Sequence, residues 1–269
     1  MSERSVIQQT IMPVTKEKLI EEFGLLGLKP TDVLLVHSSL SKLGFVIGGA
    51  VTVIQALLDV VPEGVIIMPT QTGDNSNPEE WKNPPVPSDW IPYIKEHTPA
   101  YHPQWTPTRG MGKIPELFRT LPGVKRTSHP MDSFAYYSKK PLVFDQALTP
   151  AFGEESPLSY LYHHGGKVLL IGVGYDTCTL LHYAETRVSD APQKQMQTSM
   201  LVHGKRDWVT YEDFDYGMTD FNQLGYAYEK QQKPAIRRLG KATIRLVDAP
   251  SLVDFAIPFI ETALHKQRT

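Results

Sequence analysis

Thr179, His182 and Glu185 stand three residues apart in the stretch Lys167–Arg187, KVLLIGVGYDTCTLLHYAETR. On a helix that spacing puts a hydroxyl, an imidazole and a carboxylate on one face. Imidazole, with an ordinary pKa of about 6.5, suits proton removal at neutral pH. His182 is therefore the candidate base, and Glu185, one turn on, is the group that holds its ring or steadies the imidazolium. Each has a plainer role to weigh against this: a half-buried, hydrogen-bonded histidine and a solvated surface carboxylate.

The elements around these residues give the face its place. Val168–Ile171 is an apolar, branched run that reads as a buried strand, and Gly172-Val173-Gly174 breaks it. Asp176 and Thr177 favour a helix N-cap. Two earlier runs, Val33–Val36 and Val65–Met68, are equally apolar, and both end in polar residues: His37-Ser38-Ser39-Leu40-Ser41 and Pro69-Thr70-Gln71-Thr72. Helical patterns lie between them, at 14–28 with Thr15 as N-cap and after Gly48-Gly49 with Val51, Ile54, Leu57, Leu58 and Val61. Further helices are expected after Gly112, after Ser156-Pro157, weakly over 213–231, and over 251–267 with a kink at Pro258. Residues 198–203 and 207–211 read as a β-hairpin around Gly204-Lys205, and 242–247 as a strand.

Short apolar strands alternating with helices imply an α/β fold, a mainly parallel central sheet covered by helices on its faces. The hairpin and last strand are expected as antiparallel edges. The long stretch from Gly73 to Arg109, with three tryptophans and many prolines, reads as an irregular substrate loop. Such sheets bind ligands beyond the carboxyl ends of their strands, so His37–Ser39, Gln71-Thr72 and the 176–185 segment should meet on one rim.

Composition narrows the function classes. The 269 residues carry 27 Lys and Arg against 29 Asp and Glu, with no basic run, which argues against nucleic acid as a partner. No apolar run is long enough for a membrane span, and MSERSVIQQT lacks the apolar core of a signal peptide. Cys178 is the only cysteine, so no internal disulfide forms; a cytoplasmic protein is expected. Residues 1–269 are read as one domain. Homo-oligomerisation is left open.

Other residues offer other chemistry. His37, His129, His182 and Glu185 are a conceivable ligand set for a metal-dependent hydrolase, although no H-E-x-x-H or C-x-x-C pair is present. Ser38 or Ser39 after a strand would serve a serine hydrolase, yet there is no G-x-S-x-G elbow. The hydroxyls and N–H groups of HSSLSKLG (37–44) either satisfy their own loop or receive an acyl oxygen or phosphate. Thr108, Arg109 and Lys113, at a helix start, suit an anion. Asp74, Glu79, Glu80 and Asp89, among the tryptophans, and Asp213 and Asp215 suit a polycation if they are not simply solvated.

With these residues in view, the chain resembles the aminoglycoside 3-N-acetyltransferase family. The resemblance rests on VLLVHSSLSKLGFVIGGA (33–50), PTQT (69–72), TPTRGMGKIPELFR (106–119), RTSHPMDSFA (126–135) and GEESPLSYLYHHGGKVLLIGVGYDTCTLLHYAE (153–185). Thr127 and Tyr137 depart from the family pattern, which has serine and a small residue there. The resemblance implies a fold unrelated to the GNAT acetyltransferases, with a three-layer sandwich. It implies transfer of acetyl from acetyl-CoA, without a metal, to the 3-amino group of a 2-deoxystreptamine antibiotic or related amine. The family's histidine falls on His182 and its carboxylate on Glu185. His37, Ser38, Ser39, Leu40, Ser41, Thr108, Arg109 and Lys113 fall on the cofactor side; for a polycationic acceptor, Gln71, Asp74, Glu185 and Asp213 are expected on the substrate side. Donors around Ser38–Ser41 or Thr179 would then meet the oxyanion of the attacked thioester, and direct transfer in a ternary complex is expected because Cys178 has no activating neighbour. A non-catalytic CoA-binding protein is the remaining alternative.

Overall fold

The three apolar runs form the middle of the sheet. In the computed structural model, which describes residues 2–268, Val33–Ser38 (β1) lies between Val65–Pro69 (β2) and Lys167–Ile171 (β5), parallel to both. Met1 and Thr269, part of the expected 1–269 unit, lie outside the described residues. All three strands are buried on both faces, which is why they read as unbroken apolar runs rather than alternating ones. Antiparallel strands extend both sides. Lys125–Arg126 (β3) and Phe134–Ser138 (β4) continue from β2, and Ala242–Asp248 (β9) and Ala235–Leu239 (β8) from β5. The described order is β3-β4-β2-β1-β5-β9-β8.

Helices cover both faces. Lys16–Leu26 (α2), Gly49–Val60 (α3) and Lys113–Phe118 (α5) pack on the face that shows Leu34, Val36 and Leu169. Pro157–His163 (α6), Leu180–Glu185 (α7), Phe221–Gln232 (α8) and Ala249–Arg268 (α9) pack on the face that shows Leu35, Val168 and Leu170. This is the three-layer α/β sandwich, with its parallel strands at the centre. Thr15 caps α2 by accepting the Lys18 N–H at 3.2 Å, and Ser156 caps α6, followed by Pro157 in its first turn. The α9 helix continues through Pro258.

The expected hairpin is longer than its sequence pattern and stands apart. Gln193–Val202 (β6) and Lys205–Phe214 (β7) pair with each other and join no edge of the main sheet. The turn residues His203 and Gly204 both take positive φ, +50° and +78°, which suits a two-residue hairpin. The helix expected from 213 begins only at Phe221, behind the Asp220 N-cap, because β7 runs on to Phe214. The 73–109 segment is not wholly irregular, for it contains Ile91–His97 (α4) and short 3-10 turns. It is tied to the hairpin. Asn75 donates from Nδ2 to Thr198 Oγ1 at 2.8 Å and to the Ser199 carbonyl at 2.9 Å, and Trp208 Nε1 donates to the Lys95 carbonyl at 2.6 Å. Loop and hairpin therefore form one layer beside the sheet rim. Glu3–Gln8 (α1), absent from the sequence reading, precedes α2.

Gly172 ends β5 with φ +67°, and a Cβ there would lie 2.5 Å from Lys42 Cβ and 3.2 Å from Ala242 Cβ. Both the conformation and the close approach demand glycine. Gly172→Ala is expected to lower stability by about 1–3 kcal/mol, read as a lower denaturation midpoint. An unchanged midpoint would show that the turn tolerates a side chain.

Candidate active site

β1 is the switch point of the sheet, since the chain runs outward from it through β2 and β4 on one side and then crosses to β5 on its other side. Its end therefore meets the β5–α7 connection. His37 pairs in register with Leu170 and Ser38 with Ile171, and the Ser39 N–H donates to the Ile171 carbonyl at 2.8 Å. After Gly172 the chain makes a 3-10 turn over Tyr175–Thr177, and Thr179 takes the N-cap position of α7. Asp176 and Thr177, expected as caps, lie one turn earlier, and Thr179 makes no side-chain cap bond.

His182 and Glu185 meet. His182 Nδ1 lies 2.8 Å from Glu185 Oε2. Glu185 is fully buried rather than solvated, and its other contacts are backbone donors: Gly217 N at 3.0 Å and Met218 N at 2.7 Å. An ionised carboxylate only accepts, so His182 presents its proton on Nδ1 to Glu185 and keeps the Nε2 lone pair free. The ring is stacked on Phe152, with centroids 5.0 Å apart, and bordered by Tyr216 and Phe221. Its side chain keeps 22% exposure. A fixed ring with one free, reachable nitrogen can take a proton from a nucleophile.

The ring lines a cavity of about 780 Å³. Its wall includes Glu3 and Val6 of α1, the β1 end from His37 to Ser41, Gln71, Gly110–Lys113, Thr179 and His182. It thus brings together His182, Thr179, Gln71, Lys113 and the whole 37–41 stretch. It does not include Thr108 or Arg109. The Thr108 N–H, expected to be free for an anion, is taken by Glu116 Oε2 at 2.8 Å. Arg109 is paired with Asp74, and its own N–H goes to the Gln71 carbonyl at 2.9 Å. Arg119 and Thr108 together hold the Glu116 carboxyl well below the usual carboxylate range, although burial opposes them. Thr108 and Arg109 therefore brace the loop beside the cavity.

The substrate-side set divides in the same way. Glu185 is walled off and has no face for a ligand. Asp213, 3% exposed, accepts from Ala151 N at 3.0 Å, from Phe214 N at 2.8 Å and from the Tyr216 hydroxyl at 3.0 Å. It orients Tyr216, which in turn packs against His182. Asp74 is exposed but engaged with Arg109.

The four metal-ligand candidates do not form a cluster among the described residues. His129 Nδ1 accepts from Met131 N and Asp132 N, and its Nε2 faces the Leu148 carbonyl at 3.1 Å. His37 Nε2 accepts the Thr179 N–H at 3.4 Å, and Glu185 is saturated. The two candidate nucleophilic serines bond to no histidine. Among the described residues Ser38 Oγ is buried without a partner, and Ser39 Oγ lies 3.5 Å from Ser41 Oγ. Burial pushes the Cys178 thiol up to about 12.

Asp132 was not singled out by the sequence. It sits in the turn that His129 builds, with its carbonyl held by Gln146 Nε2 at 3.0 Å. Its carboxylate has no hydrogen-bond donor among the described residues: His129 Nδ1, at 3.9 Å, is itself an acceptor, and the side chain keeps 20% exposure. Burial, reinforced by Asp213, pushes this carboxyl up to about 7, against the opposing pull of His182 and Lys194. Only an aspartate in a turn after His129-Pro130 was visible in the sequence, and nothing in that spacing points to His182 fifty residues on.

Comparison with known proteins agrees with this architecture. The model of the aminoglycoside 3-N-acetyltransferase family matches residues 35–261. An SPbeta prophage-derived aminoglycoside N(3')-acetyltransferase-like protein, YokD of Bacillus subtilis, is 43% identical, with 94% of each chain covered. The crystal structure of YokD superposes with a TM-score of 0.93 over 98% of this chain and 99% of that one. The AAC-IIIb structure, a binary complex with CoASH, is 29% identical with a TM-score of 0.82 over 93% of this chain and 97% of its own. Sisomicin-bound AAC-VIa is 31% identical, with a TM-score of 0.81 over 93% and 99%. These neighbours are AAC enzymes and not GNAT folds. The chain belongs to the aminoglycoside 3-N-acetyltransferase family.

Proposed function

We propose that this protein transfers the acetyl group of acetyl-CoA to the 3-amino group of a 2-deoxystreptamine aminoglycoside or a related amine, with His182 as general base. The observation that carries this reading is the His182 Nδ1–Glu185 Oε2 contact of 2.8 Å at the cavity wall. The CoASH complex of one relative and the sisomicin complex of another support the two ligands. Lys113 and the 37–41 stretch lie along the cavity where a CoA chain and its phosphates would run.

The chemistry follows from the geometry. An ammonium cannot attack, so the acceptor nitrogen must be unprotonated. As its lone pair forms the C–N bond to the thioester carbon, the carbonyl π pair moves to oxygen and the N–H proton passes to His182 Nε2. Glu185 steadies the resulting imidazolium. Collapse re-forms the carbonyl, breaks the C–S bond and returns the proton to the leaving sulfur as CoASH. Direct transfer is the supported route, because a thiol pushed up to about 12 offers almost no thiolate at neutral pH. Cys178→Ala is expected to keep kcat within about twofold, and an acetylated Cys178 in the intact protein's mass spectrum would contradict direct transfer.

Asp132 is the residue we assign to an ammonium group of the acceptor. A cation would supply the partner its carboxylate lacks. Its raised value favours the protonated acid in the folded chain, so its ionisation lowers stability as pH rises from about 4 to about 7 and costs nothing further above. Asp132→Asn is therefore expected to gain roughly 1–4 kcal/mol at pH 8 while raising KM for the aminoglycoside at least tenfold. The wild-type KM should fall as pH rises through 7. Chemical denaturation at two pH values and steady-state kinetics check both. An Asn variant with unchanged KM would remove Asp132 from substrate binding.

The reading as a whole is tested by thiol release from acetyl-CoA with a panel of aminoglycosides. CoA binding without acetylation of any amine would favour a binding protein instead. Both helical layers share one sheet, which supports residues 1–269 as one domain. Among the described residues no helix is long and apolar enough to cross a membrane, and we place the protein in the cytoplasm.

A further inference from the structure

We propose that His37 is a catalytic residue, whose Nδ1–H donates to the thioester carbonyl oxygen as it becomes the oxyanion of the tetrahedral intermediate. The inference rests on the acetyl-transfer reading above. Along β1 the side chains alternate: Leu35 faces the α6–α9 layer and Val36 the opposite one. His37 therefore shares Leu35's face, toward α7, while Ser38 points away from it. His37 lines the same cavity as Thr179 and His182.

The ring's tautomer is set from one side. His37 Nε2 accepts the Thr179 backbone N–H at 3.4 Å, so a neutral ring carries its proton on Nδ1. Nδ1 has no protein acceptor among the described residues, although the residue is 4% exposed. His37 lines the cavity, and that is where an acceptor for this N–H would come from. Burial, and then the neighbouring His182, push His37 down to about 3. The ring therefore stays a neutral donor even while His182 is an imidazolium, and it serves neither as base nor as cation.

Two histidines thus face one cavity in the same Nδ1–H tautomer, but they present opposite nitrogens to it. His182 offers a lone pair and takes the proton leaving the amine nitrogen. His37 offers an N–H to the carbonyl oxygen as that oxygen takes the π electron pair of the C=O bond. On collapse that pair re-forms C=O and the sulfur leaves, so His37 neither gains nor loses a proton.

The test has a mutational and a spectroscopic arm. His37→Leu is expected to lower kcat by about 10²–10³-fold, with KM for acetyl-CoA within threefold, roughly, of wild type. His37→Asn, whose amide N–H falls near the Nδ1 position, should recover about tenfold or more of that loss. In the wild-type protein with ¹⁵N-labelled histidine, His37 should be protonated on Nδ1 throughout the neutral range. Its resonance should move on binding acetyl-CoA and not on binding CoASH, which lacks the carbonyl. A His37→Leu variant with near-wild-type kcat overturns the proposal, as does a ring protonated on Nε2 or a resonance that responds equally to both ligands. If His182→Ala is inactive while His37→Leu turns over, the oxyanion assignment alone falls. If His182→Ala also turns over, the underlying reading falls with it.

Discussion

His182→Ala is expected to lower acetyl transfer by about 10²–10⁴-fold while leaving acetyl-CoA affinity within a few-fold of wild type. The ring is one of many residues that line the cavity, so most of the contacts proposed for CoA lie elsewhere and are expected to survive its loss. The amine still binds, but its proton has nowhere to go in the transition state. The effect should fall on kcat, and the dependence of kcat/KM on a basic group of the free enzyme should disappear with it. Removing the ring also leaves Phe152, Tyr216 and Phe221 without their shared neighbour. Thermal denaturation should accompany the kinetics, so that a folded, CoA-binding, inactive variant is distinguished from an unfolded one. Near-wild-type turnover in a folded variant would falsify the base assignment.

Glu185→Gln carries the second large effect, and it acts on both catalysis and stability. The carboxylate accepts from His182 Nδ1, Gly217 N and Met218 N. Glutamine has one acceptor oxygen and must aim an N–H at a donor. Whichever way the amide turns, a buried donor loses its partner, at about 1–3 kcal/mol. If the amide N–H turns to His182, it reverses the tautomer and uses up the lone pair on the wrong nitrogen. The expected result is a kcat reduced by about 10-fold to 10³-fold, a smaller loss than for His182→Ala, together with a lower denaturation midpoint. Steady-state kinetics and denaturation on the same preparation check it. A Gln variant equal to wild type in both would mean that Glu185 neither orients nor stabilises the ring.

The parts of this arrangement that were legible in the sequence are those set by local physics. β1, β2 and β5 are buried on both faces, so each wrote an apolar run into the chain. His182 and Glu185 are one helical turn apart, and that spacing carries over to the contact between them. The edges were less legible. β8 is AIRRL, an exposed outer strand whose two arginines hide its pattern. The end of β7 at Asp213-Phe214 was read as the start of a helix, because its charged residues gave no alternation. Long-range pairing was invisible altogether. Thr108 looked like a free anion-binding donor until Glu116 was found against it. Asp213 looked like a substrate carboxylate, yet it serves Tyr216 and two backbone N–H groups. Asp132 gained its place only because the His129 turn and Gln146 carry it to the neighbourhood of His182.

The most direct test follows the acetyl group itself. Protein, [¹³C-acetyl]-CoA and a 2-deoxystreptamine aminoglycoside such as sisomicin are mixed, and the label is located by NMR while free thiol is counted. One thiol is expected per label transferred, with the label on the 3-amino nitrogen and none on the protein. Label recovered as free acetate, independent of the aminoglycoside, would contradict it and point to a hydrolase at the same rim.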